Sequence, residues 1–275
     1  MSRGVRAVRM VRIALGVEYC GSQYEGWQTQ PHGRTVQDVL QVAVSKIAGA
    51  PIELVCAGRT DTGVHASAQV VHFDAGVTRP TSAWVRGVNA NLPESVAVTW
   101  AREVGPDFHA RFSAQTRMYR YLLLNRPVRP ALLSRRVGWF HAPLNVDSMA
   151  LAGRTILGEH DFSAFRAAGC QAKSPVRTML RASVYRQQDW VIFDFEANAF
   201  LHHMIRNLVG ALVFIGKGGG APSTMATLLA QRDRTASPPT FSPDGLYLCG
   251  VTYPPGWNLP DDGRIIAPLF VPASD

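Results

Sequence analysis

Apolar and polar residues change period along the chain, and each period predicts one element of secondary structure. Every second residue from Val11 to Tyr19 is apolar, which is the pattern of a half-buried strand. Apolar residues at helical spacing follow Thr35, a predicted helix N-cap with Asp38 three residues later, and Gly49 is the residue predicted to end this helix. The further predicted elements of this part of the chain are strands at 52–56 and 68–73, a helix at 82–90 and a strand at 96–100.

The same order of elements (strand, helix, strand, strand, helix, strand) returns after a connection at 103–116. Its strands are predicted at 118–124, 179–185, 191–195 and 246–253, and its helices at 146–157, 202–215 and, more briefly, 223–230. Two βαββαβ units in tandem indicate an α+β fold with two ferredoxin-like halves, whose antiparallel sheets flank a central cleft. We predict an N-terminal half at 1–105, which carries the loop Gly-Arg-Thr-Asp, and a C-terminal half at 106–275, which includes a C-terminal tail.

The composition is that of a globular protein. The chain has 275 residues, of which 47% are hydrophobic and 17% charged, so it can form one large or two smaller domains. No run of about 18 apolar residues occurs, and no membrane span is expected. The N-terminal arginines precede no apolar segment, so no secretory signal is expected, and the first strand leaves little room for an organellar transit peptide.

The cysteines give no sign of a metal site or of disulfide bonds. Their spacing matches neither a zinc motif nor Cys-x-x-Cys, and a chain of this length does not depend on disulfide bonds for its fold. We therefore expect reduced thiols in a cytoplasmic protein. The four cysteines are Cys20, Cys56, Cys170 and Cys249.

The charge balance points to a polyanionic partner. The formal net charge is +8, and of the 28 lysines and arginines only Lys46, Lys173 and Lys217 are lysine. The planar guanidinium of arginine binds phosphate through two hydrogen bonds and stacks on bases, which favours nucleic acid as the partner. Codon bias in a GC-rich genome is the alternative explanation for the excess of arginine over lysine.

One short loop holds an isolated carboxylate. Asp61 lies in the sequence Gly-Arg-Thr-Asp-Thr-Gly, where the glycines permit a sharp turn and the close approach of a ligand. Arg59 would favour the ionised form of Asp61 if the two side chains were close, and an ionised carboxylate can perform covalent catalysis at a carbon of a sugar or base. A purely structural turn is the alternative, and the absence of a second carboxylate in the motif argues against a glycosidase.

Other positions also carry two interpretations each. Tyr119 and Tyr121 share one face of a predicted strand, where they either fill the core or form a platform on which a base stacks. Arg206 lies early in an otherwise apolar helix, so it either reaches solvent or pairs with a carboxylate, for which Asp61 is the natural partner. His202 and His203 are adjacent in the same predicted helix and would point apart, so we expect no metal site there.

Several sequence blocks resemble the signature of the bacterial tRNA pseudouridine synthase A family. These blocks lie in the family's order, extend from about residue 11 to 254 and in combination are highly specific. The blocks are AGRTDTGVHASAQVVHF, VNANLP, FHARFSAQTRMYRYLLLN, EHDFSAF, FEANAFLHHMIRNLVGAL and GLYLCGVTYP.

The resemblance implies a fold and an activity. The fold would be that of the pseudouridine synthases, with two ferredoxin-like halves around a central antiparallel sheet. The activity would be conversion of uridine to pseudouridine at positions 38, 39 and 40 of the tRNA anticodon stem-loop. The enzyme would act as a homodimer and would need neither a metal nor an organic cofactor.

The resemblance also assigns roles to five residues. Asp61 would be the nucleophile, and Arg206 would pair with it. Arg59 would help to hold the flipped nucleotide or the opened RNA, Tyr119 would stack on the target uracil, and Leu246 would line an apolar pocket that excludes water.

The sequence departs from the family pattern in a few places. Cys20 occupies a position where the family usually has aspartate, and Thr62 stands where alanine is commoner. We expect a local change around Cys20 without loss of catalysis. The tail at 255–275 lies beyond the motifs and would be either disordered or packed on a partner subunit.

Three other functions remain open from the sequence. A non-catalytic RNA-binding protein with this fold would tolerate the loss of Asp61, yet Asp61 is present in an intact loop. A pseudouridine synthase for another RNA is disfavoured by the tRNA-specific blocks. An arginine-rich metabolic enzyme with two ferredoxin-like halves would explain the charge and the repeated pattern but not the blocks around Tyr119 and Arg206.

Overall fold

A computed structural model describes residues 10–260, and its strands form one ten-stranded sheet. The predicted features of residues 1–9 and of the tail beyond residue 260 lie outside the described residues. The N-terminal elements are β1 (Val11–Tyr19), α1 (Val36–Ala48), β2 (Val55–Cys56), β3 (His65–Ala75), α2 (Thr81–Asn89) and β4 (Val96–Val104). The C-terminal elements are β5 (Thr116–Asn125), β6 (Gly138–Phe140), α3 (Val146–Arg154), β7 (Gly158–Asp161), β8 (Val176–Gln187), β9 (Trp190–Ala197), α4 (Met204–Gly216), α5 (Thr224–Gln231) and β10 (Leu246–Thr252).

The strand order confirms the predicted fold of two ferredoxin-like halves. In the first half β1 lies between β4 and β3, and β2 pairs with β3. In the second half β5 lies between β10 and β9, and β8 pairs with β9, which is the same arrangement of the first, second, third and fourth strands of a βαββαβ unit. Strand β7 extends this half beyond β8, and β6 pairs with β5.

The last strand of the chain joins the two halves. β10 runs antiparallel to β5 and also pairs in parallel with β3, where Tyr247 lies opposite His65 and Leu248 opposite Ala66. The sheet is therefore continuous across the chain. We propose that the boundary between the halves falls in the connection between β4 and β5, close to the predicted division at 105/106.

Local chemistry explains where the first helix starts and ends. Thr35 accepts a hydrogen bond from the backbone N–H of Asp38, and the Asp38 side chain accepts one from the backbone of Thr35, so the predicted capping box is present. Gly49 follows the helix with φ of 72°, a left-handed conformation that costs glycine little. These contacts confirm both predicted ends of α1.

Several predicted elements have other bounds in the structure, and three of these differences have a clear physical cause. The strand predicted at 52–56 is reduced to β2 because side chains of α1 take the backbone N–H groups that a strand would use: Ile52 donates to Ser45 and Leu54 to Gln41. Helix α3 ends at Arg154, earlier than predicted, where tighter turns replace the helical hydrogen bonds. Helix α4 begins at Met204, later than predicted, for a reason described with the site below.

One hydrophobic cluster underlies the helices of both halves. It contains Leu15 and Leu40 in the first half and Phe193 and Leu212 in the second, all fully buried. Side chains that alternate with these along the strands, such as Ala14, point to the other face of the sheet and form smaller clusters there. Among the described residues, no helix combines the length and hydrophobicity that a membrane crossing would require.

Candidate active site

The loop that carries Asp61 connects β2 to β3 and is held in place by residues that follow β1. The backbone N–H of Trp27 donates to the carbonyl of Thr60 at 3.0 Å, and the Tyr19 hydroxyl lies 2.8 Å from the Thr60 hydroxyl. Gly26 makes this contact possible, since a Cβ atom there would lie 2.9 Å from the Thr60 carbonyl oxygen. The main chain on the N-terminal side of Asp61 is therefore fixed.

The turn after Asp61 is equally well defined. The backbone N–H of Val64 donates to the carbonyl of Asp61 at 3.1 Å, and Gly63 has φ of 81°. Side chains other than glycine rarely adopt this conformation. The turn leaves the Asp61 carboxylate pointing into a cleft between the two halves, which is lined mainly by residues 53–62 and 199–206. We refer to it as the central cleft.

Arg206 of α4 meets Asp61 across the central cleft. Its Nη1 atom lies 3.1 Å from Oδ2 of Asp61, although the two residues are 145 positions apart in the chain. Its Nε atom donates to the carbonyl of Phe241 at 2.9 Å, which fixes the direction of the guanidinium. The side chains of Arg206 and Asp61 are only 15% and 18% exposed, so solvent weakens their attraction less than it would at the surface.

Two histidines also meet Asp61, and the prediction that both lie in the helix and point apart is wrong. His203 has φ of 62°, so the chain makes a left-handed turn before α4 and neither histidine lies in the helix. The turn brings Nε2 of His202 to 3.4 Å from Oδ1 of Asp61 and Nε2 of His203 to 3.5 Å from Oδ2. One ligand atom from each of these three residues lies within 4.8 Å of the others, a spacing that a metal ion could use.

The surroundings keep Asp61 ionised. Burial raises the pKa of Asp61, but its interactions with His202, His203 and Arg206 outweigh burial, so the pKa lies below its usual value. Asp61 raises the pKa of His202 through the same contact. Burial lowers the pKa of His203, which favours its neutral form. The site therefore offers a carboxylate that is charged at neutral pH and is contacted on both oxygens.

The two tyrosines of β5 have different environments. Tyr121 is fully buried, and its hydroxyl donates to the carbonyl of Ser242 at 2.9 Å, so it belongs to the core. Tyr119 lines the central cleft, and its ring packs edge-on against Phe200 with ring centroids 5.2 Å apart. Burial raises the pKa of Tyr119 well above its usual value, so the phenol stays protonated.

The other two residues singled out by the sequence also line the central cleft. Leu246 is the first residue of β10 and is buried, with its backbone N–H bound to the carbonyl of Pro243. Arg59 is exposed two residues before Asp61, and among residues 10–260 it has no ion pair or hydrogen bond from its side chain. Its guanidinium is available to a ligand that enters the cleft.

Sequence reasoning placed an arginine beside Tyr119 but did not predict that it organises the cleft wall. Arg117 is buried, and its guanidinium donates to the carbonyls of Ala57, Ala114 and Asn198 at distances of 3.0–3.3 Å. These carbonyls belong to the segment before the Asp61 loop, to the connection between the halves and to the end of β9. The only signal in the sequence was its position two residues before Tyr119, on the same face of the strand.

Cys20, where the family resemblance predicts an aspartate, lies outside the central cleft. Its Sγ atom lies 3.2 Å from the Ser22 hydroxyl, and the backbone N–H of Gly21 donates to Nδ1 of His65. The contact with His65 lowers the pKa of Cys20 to about 6. The substitution is therefore accommodated by local polar contacts at the start of β3.

The doubled ferredoxin-like sheet, with an arginine-paired carboxylate in the cleft between its halves, has the features of an enzyme active site. Residues 15–113 and 152–254 match the family model described as tRNA pseudouridine synthase. Together with the relatives given next, this match shows that the chain belongs to the tRNA pseudouridine synthase family.

The similar curated proteins are named tRNA pseudouridine synthase A. The protein from Aromatoleum aromaticum is 62% identical over 262 residues, which cover 95% of this chain and 99% of the relative. The protein from Dechloromonas aromatica is 61% identical over 91% of this chain and 96% of the relative. The protein from Bordetella avium is 54% identical over 94% of this chain and 99% of the relative. Among solved structures, a chain of the archaeal box H/ACA sRNP Nop10-Cbf5 complex aligns with 75% of this chain and 44% of its own length. The sequence identity is 14% and the TM-score 0.35, a similarity too low to carry an argument.

Proposed function

We propose that this protein isomerises uridine to pseudouridine in tRNA, at positions 38, 39 and 40 of the anticodon stem-loop. The observation that carries the proposal is the ionised Asp61 in the central cleft, held by Arg206 from the other half of the chain. Membership of the tRNA pseudouridine synthase family gives this carboxylate its chemical context.

The reaction replaces the carbon–nitrogen bond between base and ribose with a carbon–carbon bond. The bond between N1 of uracil and C1′ of ribose breaks, the base rotates, and a bond forms between C5 and C1′. C5 then loses its proton and N1 gains one, so atoms and charge balance without an external oxidant or reductant. The target nucleotide must first leave the stacked stem, because the bond is out of reach within it.

Each cleft residue has a distinct part in this proposal. Asp61 acts as the nucleophile, while Arg206 keeps its carboxylate ionised and correctly oriented. Tyr119 offers the detached uracil a flat surface, and Leu246 helps to exclude water that would hydrolyse the intermediate. Arg59, which is exposed and has no partner in the part of the chain that the structure describes, binds the backbone of the opened RNA. No metal or organic cofactor takes part.

The remaining properties follow from the substrate. A net charge of +8, carried mostly by arginine, supports binding to the phosphates of tRNA. All four cysteines are free, which agrees with a cytoplasmic location where tRNA is modified. We also propose a homodimer, whose interface includes exposed apolar residues such as Val128 and Leu132.

Tritium release from tRNA labelled at C5 of uridine tests the proposed function. C5 loses its hydrogen only if the new carbon–carbon bond forms there. We expect release from transcripts that keep a single uridine at position 38, 39 or 40, and none from a control transcript without uridine at these positions. Release that is equal from the control would contradict the site assignment, and binding without release from any transcript would favour a non-catalytic RNA-binding protein.

A further inference from the structure

We propose that Asp61, His202 and His203 form a binding site for Zn²⁺ and related divalent transition metals, and that an ion bound there inhibits the enzyme. The inference goes beyond the proposed function, in which no metal takes part. It arises from the left-handed turn at His203, which brings two imidazoles to the two oxygens of one carboxylate.

The separations suit a tetrahedral ion. Zinc binds histidine nitrogen and carboxylate oxygen at about 2.0–2.2 Å, so two ligand atoms of a tetrahedral site lie roughly 3.4 Å apart. His202 lies 3.4 Å from Oδ1 and His203 lies 3.5 Å from Oδ2, so whichever oxygen binds the ion has one imidazole at this separation. All separations in the set are at most 4.8 Å, so binding of a tetrahedral ion would require the ligand atoms to draw closer together by rotation of a partly exposed imidazole.

The backbone holds both histidines while their side chains stay accessible. The carbonyl of His202 accepts a hydrogen bond from Ala167, and the carbonyl of His203 accepts one from Asn207 in the first turn of α4. The side chains of His202 and His203 are 46% and 31% exposed, so an ion can reach both Nε2 atoms from the open cleft. Two histidines and a carboxylate form a ligand set typical of zinc sites that keep a fourth position open.

Arg206 opposes the ion. Its guanidinium lies 3.1 Å from Oδ2 of Asp61 and both repels a dication and competes for the same carboxylate. The site is therefore weaker than one with a free carboxylate, and removal of the arginine charge should tighten metal binding. This direction is opposite to its effect on turnover, and it distinguishes the proposed site from metal binding elsewhere on the protein.

A bound ion and turnover exclude each other. Zinc would coordinate an electron pair of the Asp61 carboxylate. Asp61 needs this electron pair to act as the nucleophile. The ion also occupies the space beside Asp61 that the ribose of the flipped nucleotide must enter. Inhibition should be reversed by a chelator because no covalent bond to the protein changes.

Calorimetric titration of the full-length protein with ZnCl₂ tests the site without relying on activity. We expect one strong site, and affinity reduced at least tenfold in each of Asp61→Asn, His202→Gln and His203→Gln, since loss of a ligand should cost at least as much as loss of its supporting contacts. His141→Gln, at an exposed histidine outside the cleft, is the matched control and should bind as the wild type does. Arg206→Gln should bind at least tenfold more tightly.

Two further arms separate the alternatives. Cys170→Ser tests whether a thiol of the cleft is the ligand instead, and we expect it to leave the affinity unchanged. In the tritium assay, zinc should stop release by the wild type and EDTA should restore it. Zinc affinity that is insensitive to both histidine variants, or binding that leaves release unchanged, would overturn the proposal, whereas absence of release without zinc would concern the proposed function alone.

Discussion

Replacing Arg206 with glutamine removes the cation that lies 3.1 Å from Oδ2 of Asp61. Two unit charges about 4 Å apart attract by about 4 kcal/mol at an effective dielectric constant near 20, so the guanidinium contributes strongly to the stability of the charged carboxylate. His202 and His203 remain beside the carboxylate. We therefore expect the pKa of Asp61 to rise in the variant, because the carboxylate loses the guanidinium and keeps only the two histidines beside it.

The variant should change both the pH dependence of activity and the single-turnover rate, and the two effects can be measured separately. Asp61 is charged above its pKa, so as the pH falls the charged form is lost at a higher pH in the variant than in the wild type. We also expect the variant to lose activity because the carboxylate is no longer held in position for attack. This misplacement should cost about 100-fold in the single-turnover rate. The affinity for tRNA should fall much less.

Carbon NMR of labelled aspartate carboxylates measures this pKa directly, and the resonance missing from Asp61→Asn identifies Asp61. Arg206→Lys is the control that keeps the charge, but a single ammonium cannot reproduce both the contact with Asp61 and the hydrogen bond to Phe241. It should keep the low pKa and still lose rate. An unchanged pKa in Arg206→Gln, or equal losses of rate and tRNA affinity, would refute the reasoning.

Three further changes test other parts of the account. Tyr119→Ala should lower kcat/KM about 10- to 100-fold through lost base stacking, and Tyr119→Phe should retain most of it; equal losses in steady-state assays would contradict a stacking role. Arg59→Gln should weaken tRNA binding and reduce the slope of log affinity against log salt by about one, and an unchanged slope would show that Arg59 does not contact phosphate. Thr35→Ala should destabilise the fold by about 1 kcal/mol in urea unfolding while leaving kcat unchanged, since it removes only the cap of α1.

Local signals in the sequence predicted the elements whose ends depend on local chemistry. Thr35, Asp38 and Gly49 carry the information for both ends of α1 within a few residues of each end. The strand predicted at 52–56 is shorter because Ser45 and Gln41 bind its backbone, and apolar periodicity contains no information about such contacts. The position of β10 between β3 and β5 depends on long-range pairing, which no local pattern specifies.

The same distinction applies to the site. The pairing of Asp61 with Arg206 could be proposed because a lone arginine on an apolar helix needs a partner. The convergence of the two histidines could not, because a positive φ at a residue other than glycine, as at His203, leaves no compositional mark. The roles of Arg59, Tyr119 and Leu246 came from the family resemblance, and their place in the central cleft is compatible with them.

The most direct test of the central claim compares wild type and Asp61→Asn for tritium release from C5-labelled tRNA, with tRNA affinity measured on the same preparations. Asparagine preserves the size of the side chain while removing its charge, so the fold and the binding surface should survive. The account predicts comparable tRNA affinity and no release by the variant. Substantial release by Asp61→Asn would show that Asp61 is a structural turn residue and that another group performs the chemistry.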